Sequence, residues 1–74
     1  MQVHVCMKLG EVFYKLDQCD KAYEWFMQAE EAIKPKEDYL IELFKAKSLD
    51  KLKRFEEAIN VYKKSLELYE ADEV

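Results

Sequence analysis

His4, Cys6, Cys19, Ser48 and Ser65 are the side chains from which nucleophilic or metal chemistry would have to be built, and their spacing builds neither. A serine nucleophile needs a base within hydrogen-bond reach, and neither serine has one nearby in sequence. His4 is the single histidine. With no second ligand at helical spacing, it reads as an exposed terminal residue rather than a metal ligand. Cys6 and Cys19 lack the paired spacing of a zinc site and are too few for a disulfide framework, so they read as reduced, small apolar fillers. The adjacent acids Glu30 and Glu31, and Glu56 and Glu57, point to different sides of a helix and make solvated surface rather than an acid/base dyad. A lone glycine, Gly10, leaves no material for a phosphate-cradling loop. The expectation is a chain with no catalytic residue, no metal and no cofactor.

The elements that must position whatever remains are helical. In 74 residues there are one Gly, one Pro and no Thr, which is too little turn chemistry for a sheet of several strands. Half the chain is apolar and 14% is aromatic, which excludes intrinsic disorder. A single domain of this length buries about 60% of its unfolded surface, so its core is thin. The charge is -4, from 12 basic and 16 acidic side chains. Met1 to Gly10 hold no signal-peptide apolar block, and no run reaches the roughly 18–20 apolar residues of a membrane span. A cytoplasmic location without membrane contact is expected.

Cys6, Leu9, Gly10, Phe13 and Leu16 recur at steps of three and four and mark the apolar face of a first helix. Nearly opposite lies a mostly polar stripe of His4, Met7, Lys8, Glu11, Tyr14 and Lys15. Short polar groups from Asp17 to Asp20 predict a turn, with Asp20 as a cap for a second helix from Lys21. Pro35 ends that helix near Lys34. Asp38 sits at an N-cap position for a third helix over Tyr39–Leu52, and a fourth runs from about Glu56 to Tyr69 with a fraying tail from Glu70 to Val74.

The two halves match in a fixed register. Leu9, Gly10, Phe13, Leu16, Ala22, Phe26 and Ala29 stand 36 residues before Lys45, Ala46, Leu49, Leu52, Ala58, Tyr62 and Ser65. Together with Cys6 and Pro35 this pattern resembles the tetratricopeptide repeat (TPR). The resemblance implies an all-α fold of two antiparallel helix-turn-helix hairpins stacked as a short right-handed α-solenoid, repeat one over residues 3–36 and repeat two over 39–72. Small residues at Gly10, Ala22, Ala46 and Ala58 let paired helices approach, with Phe13, Phe26, Leu49 and Tyr62 filling the space beside them. Glu42 and Lys45 stand where the family carries an aromatic and Leu. That departure implies that the third helix turns or slides, or that Lys45 snorkels, and it makes the contact between the second and third helices the weak one.

By the same resemblance the first helix of each hairpin lines a concave face, here Met7, Lys8, Glu11, Tyr14, Lys15, Leu43, Phe44, Lys47, Asp50 and Lys51. Four lysines against two acids give this face +2 in a chain of -4. That asymmetry implies a protein partner offering an acidic peptide or helix, anchored on Met7, Tyr14, Leu43 and Phe44. The carboxylate clamp known in the family is absent, because Met7, Glu11 and Phe44 occupy its positions. Nucleic acid is a poorer partner: residues 44–54 carry +4, but the whole chain is acidic and Arg54 is its single arginine. The alternative is self-association. Two repeats are few for a solenoid. Val5 and Val12 on the first helix, and Ala58, Ile59, Val61, Tyr62 and Leu66 on the fourth, are expected to lie uncovered, which implies a homodimer or a fragment of a longer array.

Overall fold

The computed structural model describes residues 2–72. Four helices follow one another: α1 (Val3–Lys15), α2 (Cys19–Ile33), α3 (Tyr39–Lys51) and α4 (Phe55–Asp72). Each begins or ends where the backbone has a local reason to do so. Asp38 caps α3, its carboxylate accepting from the Leu40 amide at 2.9 Å. Lys34, the residue before Pro35, is extended (φ -54, ψ 143), as the proline ring requires of its predecessor, and α2 stops at Ile33.

The turns within the two hairpins are copies of one another. Asp17 and Lys53, 36 residues apart in sequence, both adopt the left-handed conformation, with φ of 67 and 63. Just beyond them the Gln18 amide donates to the Phe13 carbonyl and the Arg54 amide to the Leu49 carbonyl, each at 2.9 Å. Both helices therefore end in the same Schellman closure, made without glycine.

Several boundaries differ from those read in the sequence. Helix α2 starts at Cys19, so Asp20 lies in its first turn rather than at the cap, where the side chain would accept a hydrogen bond. Helix α4 starts at Phe55 and continues to Asp72 instead of fraying from Glu70. The remainder of that tail, Glu73 and Val74, lies outside the described residues.

Packing is sequential: α1 on α2, α2 on α3 and α3 on α4, as in stacked hairpins rather than a closed bundle. The slab measures 36 × 29 × 16 Å. Ala22, Phe26, Ala29, Ala46 and Leu49 are fully shielded from solvent. Gly10 is buried, and its reason is the Phe26 ring: a Cβ at Gly10 would overlap that ring, 2.7 Å from Cδ1 and 2.8 Å from Cζ. Phe26 in turn stacks on Phe44 of α3 with centroids 5.3 Å apart, so the missing side chain at Gly10 lets this two-ring stack seat against α1. Ser65 is more than a small spacer, because its hydroxyl donates to the Tyr39 carbonyl at 2.9 Å and ties α4 to α3. Ala58 is buried rather than uncovered, whereas Val5, Val12, Ile59 and Leu66 are exposed and Val61 and Tyr62 half-buried. Leu9 and Phe13, assigned to hairpin packing, are half-buried.

Candidate functional site

Helices α1 and α3 run side by side on one face because α2 separates the hairpins and both first helices dock on it. Between them lies a cleft of about 360 Å³ lined by Val3, His4, Met7, Lys8 and Glu11 from α1, and by Asp38, Leu40, Ile41 and Phe44 at the start of α3. Its floor is apolar, with Ile41 part of a buried cluster shared with Cys6 and Ala29, against which Val3 and Met7 pack. Further along the same helices the character changes to cation on aromatic. Lys47 Nζ lies 5.4 Å from the Phe44 ring centroid and Lys51 Nζ 4.6 Å from that of Tyr14. Lys8 faces Glu11 at 3.9 Å and Lys51 faces Asp17 at 3.8 Å, both exposed pairs that water screens.

Of the ten residues assigned to the concave face, Met7, Lys8, Glu11 and Phe44 therefore meet in one cleft, and Tyr14, Lys47 and Lys51 continue it. Asp50 is exposed and lines no part of the cleft; its charge, after burial, helps raise the pKa of Tyr62 on α4. Lys15 is exposed and lines no part of the cleft. Leu43 points elsewhere, into a separate apolar cavity with Tyr39, Tyr62, Ser65, Leu66 and Tyr69 on the outer side of the second hairpin. One helical position separates it from Phe44, and the face changes with it. Val3, His4, Leu40 and Ile41 also line the cleft and are not among the ten that the resemblance supplies; His4 lies on the polar stripe of the first helix but reads in sequence as an exposed terminal residue.

A second cluster fills the α2/α3 junction. Lys45 neither snorkels nor forces α3 to slide. It is buried, its Nζ donating to Glu30 Oε2 at 3.0 Å and lying 3.4 Å from Glu42 Oε2. Lys64 on α4 reaches Glu42 Oε1 at 3.2 Å and Glu37 Oε1 at 3.0 Å. The result is an alternating chain, Glu37, Lys64, Glu42, Lys45, Glu30, with one more carboxylate than ammonium. Its central member is the strained one, since Glu42 Oε2 accepts no hydrogen bond. Burial first, and then its hydrogen bond to Glu30, push the Glu42 carboxyl above its ordinary value of 4.5. For Glu30 burial acts in the same direction but is outweighed by hydrogen bonds from Glu42 and Lys45, and its carboxyl falls below the ordinary value. Hydrogen bonds to Glu37 and Glu42 raise Lys64. Within it the Lys45–Glu30 pair joins the two repeats, while Lys64 ties α4 to Glu42 and to Glu37 ahead of α3. The α2/α3 contact remains the sparsest of the three between neighbouring helices, and the Lys45–Glu30 pair is the polar bond that crosses it.

Burial raises the Cys19 thiol, which lies against the smaller lowering effect of Lys51, so the thiolate is disfavoured. Among the described residues no group of three or more His, Cys, Asp or Glu is arranged to hold a metal. No helix there is long and apolar enough to cross a membrane.

Comparison with known proteins finds the tetratricopeptide repeat model twice, over residues 3–34 and 43–72. No curated protein and no solved structure matches the chain. The two matches cover most of the 74 residues; the first spans the first hairpin and the second runs from within α3 to the end of α4. Repeats of this kind are protein-interaction scaffolds rather than catalysts, and both the duplicated Schellman turns and the sequential helix packing accord with such an array. The chain belongs to the tetratricopeptide repeat family.

Proposed function

We propose that the chain is a scaffold module that binds an acidic peptide segment of a partner protein, extended or helical, along the face shared by α1 and α3. The observation that carries this reading is the join of an apolar cleft to a ledge of lysines held over aromatic rings. Met7, Ile41 and Phe44 offer anchoring surface, while Lys8, Lys47 and Lys51 steer acidic residues toward it. The rings beneath Lys47 and Lys51 hold the ammonium groups in place and so lower the entropy lost on contact. Nucleic acid suits the surface less well. Lys45, counted in the basic stretch of residues 44–54, is buried against Glu30, and Arg54 is committed to both carboxylate oxygens of Glu57 at 2.9 and 2.7 Å.

The test is calorimetric titration with synthetic peptides in which Asp and Glu alternate with Leu and Phe, against controls carrying Lys in place of the acids. The acidic series should bind and weaken as salt screens it, and the triple variant Lys8→Glu, Lys47→Glu, Lys51→Glu should lose that binding. Equal binding by the triple variant would move the interaction surface to the α2/α4 side. Filter retention of single-stranded RNA or duplex DNA that depends on salt would favour the nucleic-acid reading instead.

A further inference from the structure

The inter-repeat junction inside the molecule is a template for what its two ends can do. Helix α3 docks on the first hairpin by placing Ile41 in the cluster that includes Ala29, Val3, Met7 and Ile33. It also stacks Phe44 on Phe26 and pairs Lys45 with Glu30. Moving the six receiving positions Val3, Met7, Phe26, Ala29, Glu30 and Ile33 forward by 36 residues gives Tyr39, Leu43, Tyr62, Ser65, Leu66 and Tyr69. Those six residues line the apolar cavity of about 430 Å³ on the outer side of the second hairpin. The surface that holds α3 in repeat one thus recurs on repeat two as a groove.

The inserting stripe recurs as well. Ile41, Lys45, Ser48 and Leu52 of α3 correspond to Val5, Leu9, Val12 and Leu16 on the outer face of α1. Ile41 is 3% and Ser48 0% exposed where the first hairpin covers them, whereas Val5 is 42% and Val12 52% exposed. An apolar ridge along one helix therefore stands uncovered at one end of the slab, and the groove built to receive such a ridge stands at the other.

One position says that the two surfaces fit each other. In the internal junction Lys45 meets Glu30, an ion pair. At the ends both members are replaced together, Lys45 by Leu9 and Glu30 by Leu66. A leucine facing the half-buried Glu30, or the buried Lys45 facing Leu66, would leave a charge unpaired, so each end suits the other and not the internal partner. Where Phe44 stacks on Phe26, the ends would place Lys8 over Tyr62, a cation on a ring of the kind already formed by Lys51 and Tyr14.

We propose that the outer face of the second hairpin is the docking site for α1 of a second copy of this chain, seated in the register that α3 takes on the first hairpin. The contact is heterologous, head to tail, so it propagates the solenoid instead of closing into a symmetric dimer. The two surfaces share Lys8, but the test positions Val12 and Leu66 lie outside the α1/α3 cleft, so the variants separate this contact from the peptide-groove reading.

Sedimentation velocity on the chain and on two single variants, Val12→Glu and Leu66→Glu, tests it. Both substitutions fall on exposed helical positions, and circular dichroism checks that each variant keeps its helices. The unmodified chain should rise in mass beyond a dimer as concentration increases through the micromolar to millimolar range expected of a small interface. Each variant alone should stay at the 8.9 kDa monomer. An equimolar mixture should form a one-to-one dimer and nothing larger, because Val12→Glu keeps a working groove and Leu66→Glu a working ridge. A chain that stays monomeric throughout overturns the proposal, including the case in which a helix from elsewhere fills the groove. Self-association of either variant alone overturns it too, since that is the mark of a symmetric or helix-exchanged dimer.

Discussion

Replacing Lys45 by Leu should be among the most destabilising single changes in the chain, and replacing its partner as well should undo much of the damage. Lys45 Nζ is within 3.0 Å of Glu30 Oε2 and 3.4 Å of Glu42 Oε2, and the side chains of Lys45 and Glu42 are only 10% and 4% exposed. Removing the ammonium leaves two facing carboxylates with Lys64 alone to answer them. Stripping one partner from a buried ion pair costs about 3–5 kcal/mol, whereas exchanging the pair for apolar residues of similar volume is often neutral or favourable. Total stability for a domain of this size is about 4–11 kcal/mol, so Lys45→Leu should remove a large share of it. The double variant Glu30→Leu, Lys45→Leu installs at the junction the leucine pair found at the two ends, Leu66 and Leu9. It should regain most of the loss, and adding Glu42→Gln should regain the rest. Urea unfolding of the four proteins gives the cycle, and in thermal melts each kcal/mol is worth about 4–8 °C. A Lys45→Leu protein as stable as the parent, or a double variant no better than the single, would refute the reading of the Lys45–Glu30 pair as the join between repeats.

Three further predictions address the same framework. Gly10→Ala should destabilise by about 1–3 kcal/mol despite the better helix propensity of alanine, because the added Cβ overlaps the Phe26 ring; denaturant midpoints measure it. Lys53→Gly should stabilise by about 0.5–1 kcal/mol, since the left-handed backbone at φ 63 is free of strain only for glycine. For Glu42, a raised folded-state pKa means stability that is present below 4.5 and lost as pH rises through the folded value. Glu42→Gln should therefore gain on the parent over that rise, whereas the lowered Glu30 contributes stability above 4.5 that is lost as pH falls; unfolding curves across pH 3–8 that run parallel would contradict the raised Glu42 carboxyl.

What could be read without coordinates was whatever the helical period and the 36-residue register carry. Gly10, Ala46, Phe26 and Leu49 recur at packing positions because the hairpin crossing demands size, and size is visible in residue type. The Glu30–Lys45 contact was not visible, although its trace was present. Leu9 stands at the repeat counterpart of Lys45, and Leu66 at that of Glu30. Each departure taken singly looks like a defect; only spatial adjacency across the α2/α3 junction shows that the two compensate each other. The resemblance assigns Leu43 to the groove along with Phe44, as residues of the first helix of the second hairpin. One residue is a rotation of about 100° around a helix, enough to turn it from the cleft into the outer cavity.

The interaction surface itself is tested most directly by mapping backbone amide shifts in heteronuclear NMR spectra as an acidic, leucine-containing peptide is added. Binding in the α1/α3 cleft predicts the largest shifts at Met7, Glu11, Ile41, Phe44 and Lys47, with the outward positions of α2 and α4 unmoved. Shifts concentrated on α2 and α4, or none at saturating peptide, would contradict it.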